Sequence, residues 1–223
     1  MKIIFLAYRE WAIDVFQTIK KNPNLTEIVL CKNIIQLEKL DLKKFNLLLT
    51  CGTSDKLGKE ILEEIETIGV HCAELDRYSY GSPIQNQIID GINFTKHRIF
   101  KLSYNKDSKR SHAHDRLFSH EVELDLSGNI DDIFSQMTST SIILFNKYLN
   151  DIPNILWSEW LEEEIIRKKR VPSDSKLVKE QILKMSTKEL YDFFRCLGDP
   201  YPNGYIEDDE GSLYINKVSF KKK

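Results

Sequence analysis

The stretch GVHCAELDRYSYGSPIQNQIIDG, residues 69–91, decides how this chain is expected to fold. His71 ends a short apolar run, and a loop that closes with Ser82 and Pro83 follows it. Serine is a favoured N-cap, and proline suits the first helical position because its missing N–H is not needed there. The stretch therefore predicts a strand that ends at His71, then a loop, then a helix that Gly91 closes.

Apolar runs and amphipathic segments alternate before this stretch. The runs are residues 2–8, 27–31 and 46–51, and helical spacing is found in residues 11–21 and 59–67. Short continuous apolar runs are typical of strands buried on both faces. This order predicts an α/β fold with a Rossmann-like, doubly wound, mostly parallel sheet. Such sheets bind ligands at the carboxyl ends of their strands, where His71 is expected to lie.

The second half of the chain continues with strands and ends in a smaller segment. Two further strands are expected at residues 98–104 and 117–126, joined by the polar residues 105–113, and a long helix at 130–149. Pro153 marks a boundary. Beyond it, a helix at 186–197 has a capping-box start, and residues 205–218 have the pattern of a β-hairpin. We expect one domain at 1–150 and a helix-and-hairpin segment at 151–223.

Composition limits the classes of partner. The formal net charge of −2 gives no basic field for nucleic acid, and no apolar run approaches the roughly 20 residues that span a bilayer. Neither nucleic acid nor a membrane is therefore expected as a partner. The cysteines lack C-x-x-C spacing, and we interpret them as reduced core residues of a cytoplasmic protein. They are Cys31, Cys51, Cys72 and Cys196.

Two of the strand-to-helix turns bear on ligand binding. The first, residues 7–10, contains no glycine, which disfavours a dinucleotide site of the Rossmann type. The turn after the third apolar run is Gly52-Thr53-Ser54-Asp55, a candidate ligand loop. An N-cap formed by Ser54 or Asp55 is the alternative interpretation of the same turn, and the two are compatible.

Residues of the central stretch stand at a spacing found in a known family. They are His71, Leu75, Arg77, Tyr78, Gly81, Ser82, Pro83, Ile84 and Gln85. The stretch resembles the formyltransferase domain of enzymes that use N10-formyltetrahydrofolate, in which a leucine-proline loop and a glycine-serine-proline helix start follow a histidine. That family usually has an asparagine two residues before the histidine, and this chain has Gly69 there.

The resemblance implies a pair of catalytic residues. His71 would donate to the oxyanion or shuttle a proton, and a carboxylate would precede a later strand. An ungapped count back from the turn near residue 125 places His112 or His114 at the carboxylate's position, whereas a short deletion places Asp115 there. We expect Asp115, because a carboxylate can both orient His71 and accept the proton.

The resemblance also implies binding residues. N10-formyltetrahydrofolate, as co-substrate, is expected against Gly52, Thr53, Ser54 and Gly81. Substrate contacts are expected from Tyr78, Ser82, Gln85 and Tyr201, and the ring of Tyr201 could stack on a nucleotide base.

The end of the chain resembles the nucleotide-sugar branch of the family. The segment KKRVPSDS, residues 168–175, matches an arginine-x-proline-x-x-serine pattern, and a tyrosine-proline-asparagine turn starts at Tyr201. The chain lacks the basic charge and the extra length in which tRNA-directed members carry a second domain. The resemblance thus implies a formyltransferase catalytic domain at 1–150 that acts on a nucleotide-linked amino sugar for a cell-surface polysaccharide.

Several alternatives stay open. With Gly69 in place of asparagine, the chain could be a binding or structural protein of impaired activity, or it could transfer another acyl group. His112, His114, Asp115 and His120 could be read as metal ligands, but nothing in the sequence completes the coordination shell, and no metal is expected. The apolar hairpin near the end could form a homodimer contact.

Overall fold

The computed structural model describes residues 1–73, 77–78, 81–104, 114–159 and 167–222, without the side chains of residues 114–116. The polar segment predicted at 105–113 lies outside the described residues. The strands are β1 (Lys2–Leu6), β2 (Glu27–Cys31), β3 (Leu47–Thr50), β4 (Thr67–His71), β5 (Phe94–Leu102), β6 (His114–Asp125), β7 (Ser158–Glu159), β8 (Lys176–Leu177), β9 (Gly204–Asp208) and β10 (Gly211–Ile215). The helices are α1 (Glu10–Ile19), α2 (Ile34–Leu37), α3 (Lys59–Glu64), α4 (Pro83–Ile89), α5 (Ile130–Asp151), α6 (Lys179–Ile182) and α7 (Thr187–Arg195), with short 3-10 turns at Leu42–Lys44 and Pro172–Ser175.

The predicted fold class is confirmed. Seven strands form one sheet in the order β2-β1-β3-β4-β5-β6-β7, and a smaller sheet has the order β10-β9-β8. β2, β1, β3 and β4 are parallel neighbours, whereas β5 runs antiparallel to β4. The parallel strands β1 to β4 are therefore those that alternate with helices in the sequence. Antiparallel pairing begins with β5, the first strand after His71.

The chain divides into two compact units that do not follow its linear order. Unit 1 comprises Met1–His71, Lys96–Glu123 and Met137–Glu162, and unit 2 comprises Cys72–Thr95, Leu124–Gln136 and Glu163–Lys223. The boundary expected near residue 150 stays a prediction. The predicted catalytic histidine is the last residue of the first segment of unit 1.

The core of unit 1 lies on both faces of the parallel strands. Ile3 and Phe5 of β1 pack on one face with residues of α1 and α5, and Ile4 and Leu6 pack on the other with residues of α2 and α3. All of these β1 side chains are fully buried. Burying one such side chain contributes about 1.5–3 kcal/mol, which explains why the run is apolar at every position rather than at alternate ones.

Helix α7 of unit 2 has polar side-chain contacts at both of its ends. The capping box predicted at Ser186 is confirmed, since its hydroxyl accepts from the Glu189 N–H at 3.2 Å and the Glu189 carboxylate accepts from the Ser186 N–H at 2.7 Å. At the other end of the helix, Arg195 is buried and bonds Asp192 at 2.7 Å and the carbonyl of Gly128 at 3.0 Å. The capping box thus satisfies backbone groups at the start of α7. Arg195 connects the last residue of the helix to the backbone near Gly128.

Two local predictions are wrong. Ser82 precedes α4 as expected, with Pro83 as its first residue, but its backbone is left-handed at φ 52° and no cap bond from its side chain occurs within the described residues. Its hydroxyl instead accepts from the Arg170 N–H at 3.3 Å. The helix expected at 59–67 ends at Glu64, because Thr67 pairs with Leu48 and begins β4.

The cysteine prediction is confirmed as far as the fold tests it. Each of the four residues lies in the described ranges, and each is buried with a free thiol. Among the residues that the structure describes, no helix is long and apolar enough to cross a bilayer.

Candidate active site

Polar side chains gather at the carboxyl edge of the parallel strands in unit 1. β3 ends at Thr50 and β4 ends at His71, and Thr50 is paired in register with Gly69. The turn that starts at Gly52 follows β3 directly, so it leaves the sheet beside the strand that carries His71. Ligands of doubly wound sheets bind at this edge, which makes it the candidate active site.

His71 is half-buried and rests against one aromatic ring. The rings of His71 and Phe100 meet edge to face, with centroids 6.2 Å apart and planes at 88°. Phe100 lies on β5, directly opposite Gly69 in the antiparallel ladder. An imidazole held in this way can donate a hydrogen bond to a developing oxyanion or carry a proton between reacting groups.

Gly69 stands where the resembled family usually has asparagine, and it has no space for a side chain. A Cβ built on Gly69 would lie 2.7 Å from Cζ of Phe100 and 2.8 Å from Oγ1 of Thr50. Both distances are shorter than van der Waals contact. The arrangement expected from the family is therefore replaced here by a phenyl ring and a hydroxyl group.

The cation next to His71 on the sheet is already paired. Arg98 lies opposite His71 in the ladder, and its Nε donates to Glu121 at 2.8 Å. Burial would raise the pKa of Glu121, but hydrogen bonds from Arg98 and Lys96, with their charges, hold that pKa below its usual value. Arg98 is thus engaged by an ionised carboxylate.

His97 is a residue of this region that sequence reasoning missed. It is 1% exposed on β5, and its Nδ1 lies 2.7 Å from the hydroxyl of Thr140 on α5. Burial, together with the smaller effect of the nearby His71, lowers the pKa of His97 to about 3. His97 is therefore neutral at physiological pH. His97 was missed because the strand was expected to begin at residue 98, whereas β5 begins at Phe94.

The turn after β3 is shaped by contacts with unit 1. Gly52 has φ +57°, and a Cβ there would lie 2.8 Å from the indole of Trp11, so a glycine is needed on both counts. The hydroxyl of Thr53 accepts from the Asp55 N–H at 3.1 Å, and that of Ser54 lies 3.1 Å from the hydroxyl of Tyr8.

The N-cap interpretation of this turn is wrong. α3 begins only after Gly58, where no side-chain cap bond occurs among the described residues. Asp55 instead accepts from the Ile34 N–H at 2.9 Å, at the start of α2. The turn therefore leads into α3 and is hydrogen-bonded through Asp55 to the start of α2. Its role in folate binding stays a prediction.

Three consecutive amides of α4 in unit 2 are buried, although amides usually lie at the surface. Asn86 donates to the carbonyl of Lys168 at 3.0 Å, and Gln87 donates to the carbonyl of Cys72 at 3.0 Å. Gln85 is different. Both its amide nitrogen and its amide oxygen lack a hydrogen-bond partner within the described part of the chain.

Tyr78 is buried in unit 2 and takes part in a charged cluster. Its hydroxyl donates to Asp90 at 3.1 Å, and Arg167 Nε donates to the same carboxylate at 3.1 Å. Burial would raise the pKa of Asp90, but these bonds and the charges of Arg167 and Arg77 hold it below its usual value. The phenol therefore already has one partner.

The remaining predicted residues of unit 2 have structural contacts of their own. The side chain of Lys169 lies across Gly81, whose missing Cβ would be 3.0 Å from it. The ring of Tyr201 packs against Phe134, with centroids 6.1 Å apart. Stacking of Tyr201 on a base stays a prediction.

The predicted carboxylate lies at the edge of what the structure describes. His114 and Asp115 are the first residues of β6, but their side chains are outside the described set, and His112 lies outside the described residues. Which of the three fills the position therefore stays open. In the described part of the chain, no group of three or more His, Cys, Asp or Glu residues could hold a metal ion.

A thiol nucleophile next to His71 is excluded on physical grounds. Cys72 follows the histidine directly, and burial raises the pKa of its thiol to about 12. A thiol with that pKa is protonated at neutral pH and is a poor nucleophile. Cys72 is therefore not a candidate nucleophile for chemistry beside His71.

Comparison with known proteins shows which of them this chain is similar to. No family model matches the chain. A curated methionyl-tRNA formyltransferase of Mycoplasmopsis pulmonis (strain UAB CTIP) is 26% identical over 185 residues, covering 79% of this chain and 60% of that protein. The solved methionyl-tRNA formyltransferase from Clostridium thermocellum aligns with a TM-score of 0.80 and 25% identity, over 99% of this chain and 94% of that one. The chain is therefore similar to methionyl-tRNA formyltransferases in both sequence and fold.

Other solved chains share the fold at lower identity. A sugar N-formyltransferase from a Shewanella species aligns with a TM-score of 0.69 and 16% identity, over 100% of this chain and 99% of that one. HypX from Aquifex aeolicus, solved with tetrahydrofolic acid, aligns with a TM-score of 0.74 and 14% identity, over 97% of this chain and 37% of that one. The chain spans only 60% of the length of the curated relative. The resemblance read from residues 69–91 is thus confirmed at the level of the formyltransferase family.

Proposed function

We propose that this protein is a formyltransferase that moves a formyl group from N10-formyltetrahydrofolate to the amine of a nucleotide-linked amino sugar. The observation that carries the proposal is His71 at the carboxyl end of β4, on a fold that matches a formyltransferase over 99% of the chain. The structure of HypX with tetrahydrofolic acid supports a folate-derived donor. Its edge position gives the histidine access to a ligand bound at the sheet.

The reaction needs few protein groups. The lone pair of the amine attacks the formyl carbon, and the carbonyl electrons move onto oxygen to form a tetrahedral oxyanion. When the carbonyl re-forms, the bond to N10 breaks, the amine loses a proton and N10 gains one. His71 would donate to the oxyanion and pass the proton, and Asp115 would accept it or orient the histidine.

The acceptor is the finer part of the proposal. The solved sugar N-formyltransferase aligns over the whole chain, and Gln85 offers a buried amide without a partner among the described residues. An unpaired buried amide costs about 1–3 kcal/mol, so a ligand with a complementary donor and acceptor would offset that cost. Methionyl-tRNA is the competing acceptor, because the two methionyl-tRNA formyltransferases have higher identities to this chain, 26% and 25%, than the sugar N-formyltransferase has.

The packing around Gly69 favours a second candidate function. Removing one oxyanion donor typically lowers turnover about 100- to 1000-fold, and here the space of an asparagine is filled by Phe100 and Thr50. The second candidate is therefore a protein that binds folate and a nucleotide sugar with little or no turnover.

Turnover and binding can be separated on one set of proteins. Purified chain is mixed with N10-formyltetrahydrofolate and UDP- or dTDP-linked amino sugars, or with methionyl-tRNA, and tetrahydrofolate release is followed. Thermal shift is measured with each ligand, since a ligand that binds only the native state stabilises it by mass action. We expect turnover with an amino sugar, and a loss of about 100-fold or more in His71→Ala with the melting temperature retained.

His120→Ala is the matched control, because it removes a histidine of the same unit that bonds Asp151 rather than the site. Binding of both ligand classes without turnover would favour the second candidate. Stabilisation by a nucleotide sugar but by no folate would reject N10-formyltetrahydrofolate as the donor. Formylation of methionyl-tRNA alone would reject an amino sugar as the acceptor.

A further inference from the structure

The ring of Phe100 lies against two positions of β4. The tip of the ring lies where a side chain of residue 69 would begin, 2.7 Å from the position of its Cβ. The same ring meets the imidazole of His71 edge to face at 6.2 Å. Gly69 and His71 are two residues apart on a strand, so their side-chain positions share one face of the sheet.

The strand register makes this placement obligatory. Gly69 pairs with Phe100 and His71 pairs with Arg98, and directly opposed residues project to the same face of an antiparallel pair. Phe100 is 8% exposed, so its ring is buried and cannot swing into solvent. Thr50 closes the other side, with its hydroxyl 2.8 Å from the same Cβ position and 3.4 Å from the carbonyl of Ile68.

We propose that Phe100 is a positioning residue for His71, and that the glycine at position 69 is what lets its ring lie against the imidazole. Any side chain at residue 69 would have to displace the ring, the hydroxyl of Thr50, or both. A displaced ring would press on His71 or leave it without its packing partner. Residues 69 and 100 therefore act as one unit that sets the orientation of the histidine.

The inference deepens the proposed function, since turnover is one of its readouts, but its first test needs no activity. Gly69→Ala adds the single carbon that the ring excludes, and Phe100→Leu removes the aromatic edge while keeping an apolar side chain. We expect Gly69→Ala to lower the melting temperature by about 3–6 °C, because overpacked cores relax poorly. In the double variant the smaller leucine leaves room for the methyl group, so the two losses should not add.

Orientation of the histidine is read by NMR of the imidazole C–H groups. The chain has five histidines, and the signal of His71 is assigned by its loss in His71→Gln. We expect this signal to move in both Gly69→Ala and Phe100→Leu while the signal of His120 stays in place. Phe16→Leu is the matched control, since it removes a ring that packs against Phe5, with centroids 5.8 Å apart, and not against His71.

Turnover gives the second readout. A misplaced catalytic group lowers kcat with little effect on substrate binding, so we expect Phe100→Leu to reduce kcat about 10- to 100-fold with KM changed less than about twofold. Phe16→Leu should lower stability without this loss. An unmoved His71 signal in Phe100→Leu, or stability losses in the Gly69 and Phe100 variants that simply add, would overturn the inference. A wild-type chain without turnover would reject the proposed function alone, because the NMR and stability results stand without it.

Discussion

His97 is a buried histidine whose protonation the fold opposes. Burial, with the nearby His71, lowers its pKa to about 3, whereas a histidine in an unfolded chain has a pKa of about 6.5. Between these values the unfolded state binds a proton that the native state does not. The stabilising contribution is therefore complete above about pH 6.5 and is lost as the pH falls toward the native pKa, at about 1.4 kcal/mol per pH unit.

Replacing the ring tests this pH dependence. We expect His97→Gln to flatten the fall in unfolding free energy between pH 6.5 and 5, measured by urea denaturation at several pH values, because glutamine does not titrate. His120→Gln serves as the control, since His120 lies beside Asp151 near the surface. An unchanged pH slope in His97→Gln would show that other groups govern acid unfolding.

Single residues also mark the limit of what could be predicted. The place of His71 at the end of a strand was predicted from a local pattern, an apolar run before a turn, and β4 does end there. Its catalytic role stays a prediction. The contact between Phe100 and Gly69 could not be read from the sequence, because it depends on a strand register set by residues about thirty positions apart. Asp115 stays a prediction, since its side chain is outside the described set.

At the scale of elements, α7 depends on one buried cation. Arg195 has a side chain 1% exposed, pairs with Asp192, and donates to the carbonyls of Leu126 and Gly128. We expect Arg195→Ala to lower the unfolding free energy by about 3–5 kcal/mol, measured by urea denaturation, because it leaves a buried carboxylate and backbone oxygens without this partner.

Lys188 provides the control on the same helix. It pairs with the same carboxylate, but its side chain is 42% exposed. Exposed ion pairs contribute about 1 kcal/mol or less, so Lys188→Ala should have a much smaller effect. Equal losses in the two variants would mean that charge balance, rather than the buried hydrogen bonds of Arg195, stabilises the helix.

Elements were predicted where local chemistry decides them. The capping box at Ser186 is local, and it is confirmed. Ser82 has an equally suitable sequence, yet its hydroxyl bonds the backbone of Arg170, a residue far along the chain. The same physics explains the shortened α3, because β-pairing of Thr67 with Leu48 outweighs helical spacing.

At the scale of the whole molecule, the boundary expected near residue 150 can be tested by truncation. In a fragment of residues 1–150, α4 loses the carbonyl of Lys168 that Asn86 bonds and the guanidinium of Arg167 that Asp90 bonds. We expect amide hydrogen exchange of residues 81–91 to become fast in the fragment while β1 and β3 stay protected. Full protection of α4 in the fragment would establish 1–150 as an independent domain.

Unit 2 is assembled from three separated segments, the last of which is Glu163–Lys223. During translation, the residues of α4 leave the ribosome long before their partners in that final segment exist. At about 5–20 residues per second, several seconds pass before those partners are made. The amide of Asn86 is hydrated throughout that interval, because the carbonyl of Lys168 that it bonds has not yet been made, so α4 stays incompletely packed until the final segment emerges.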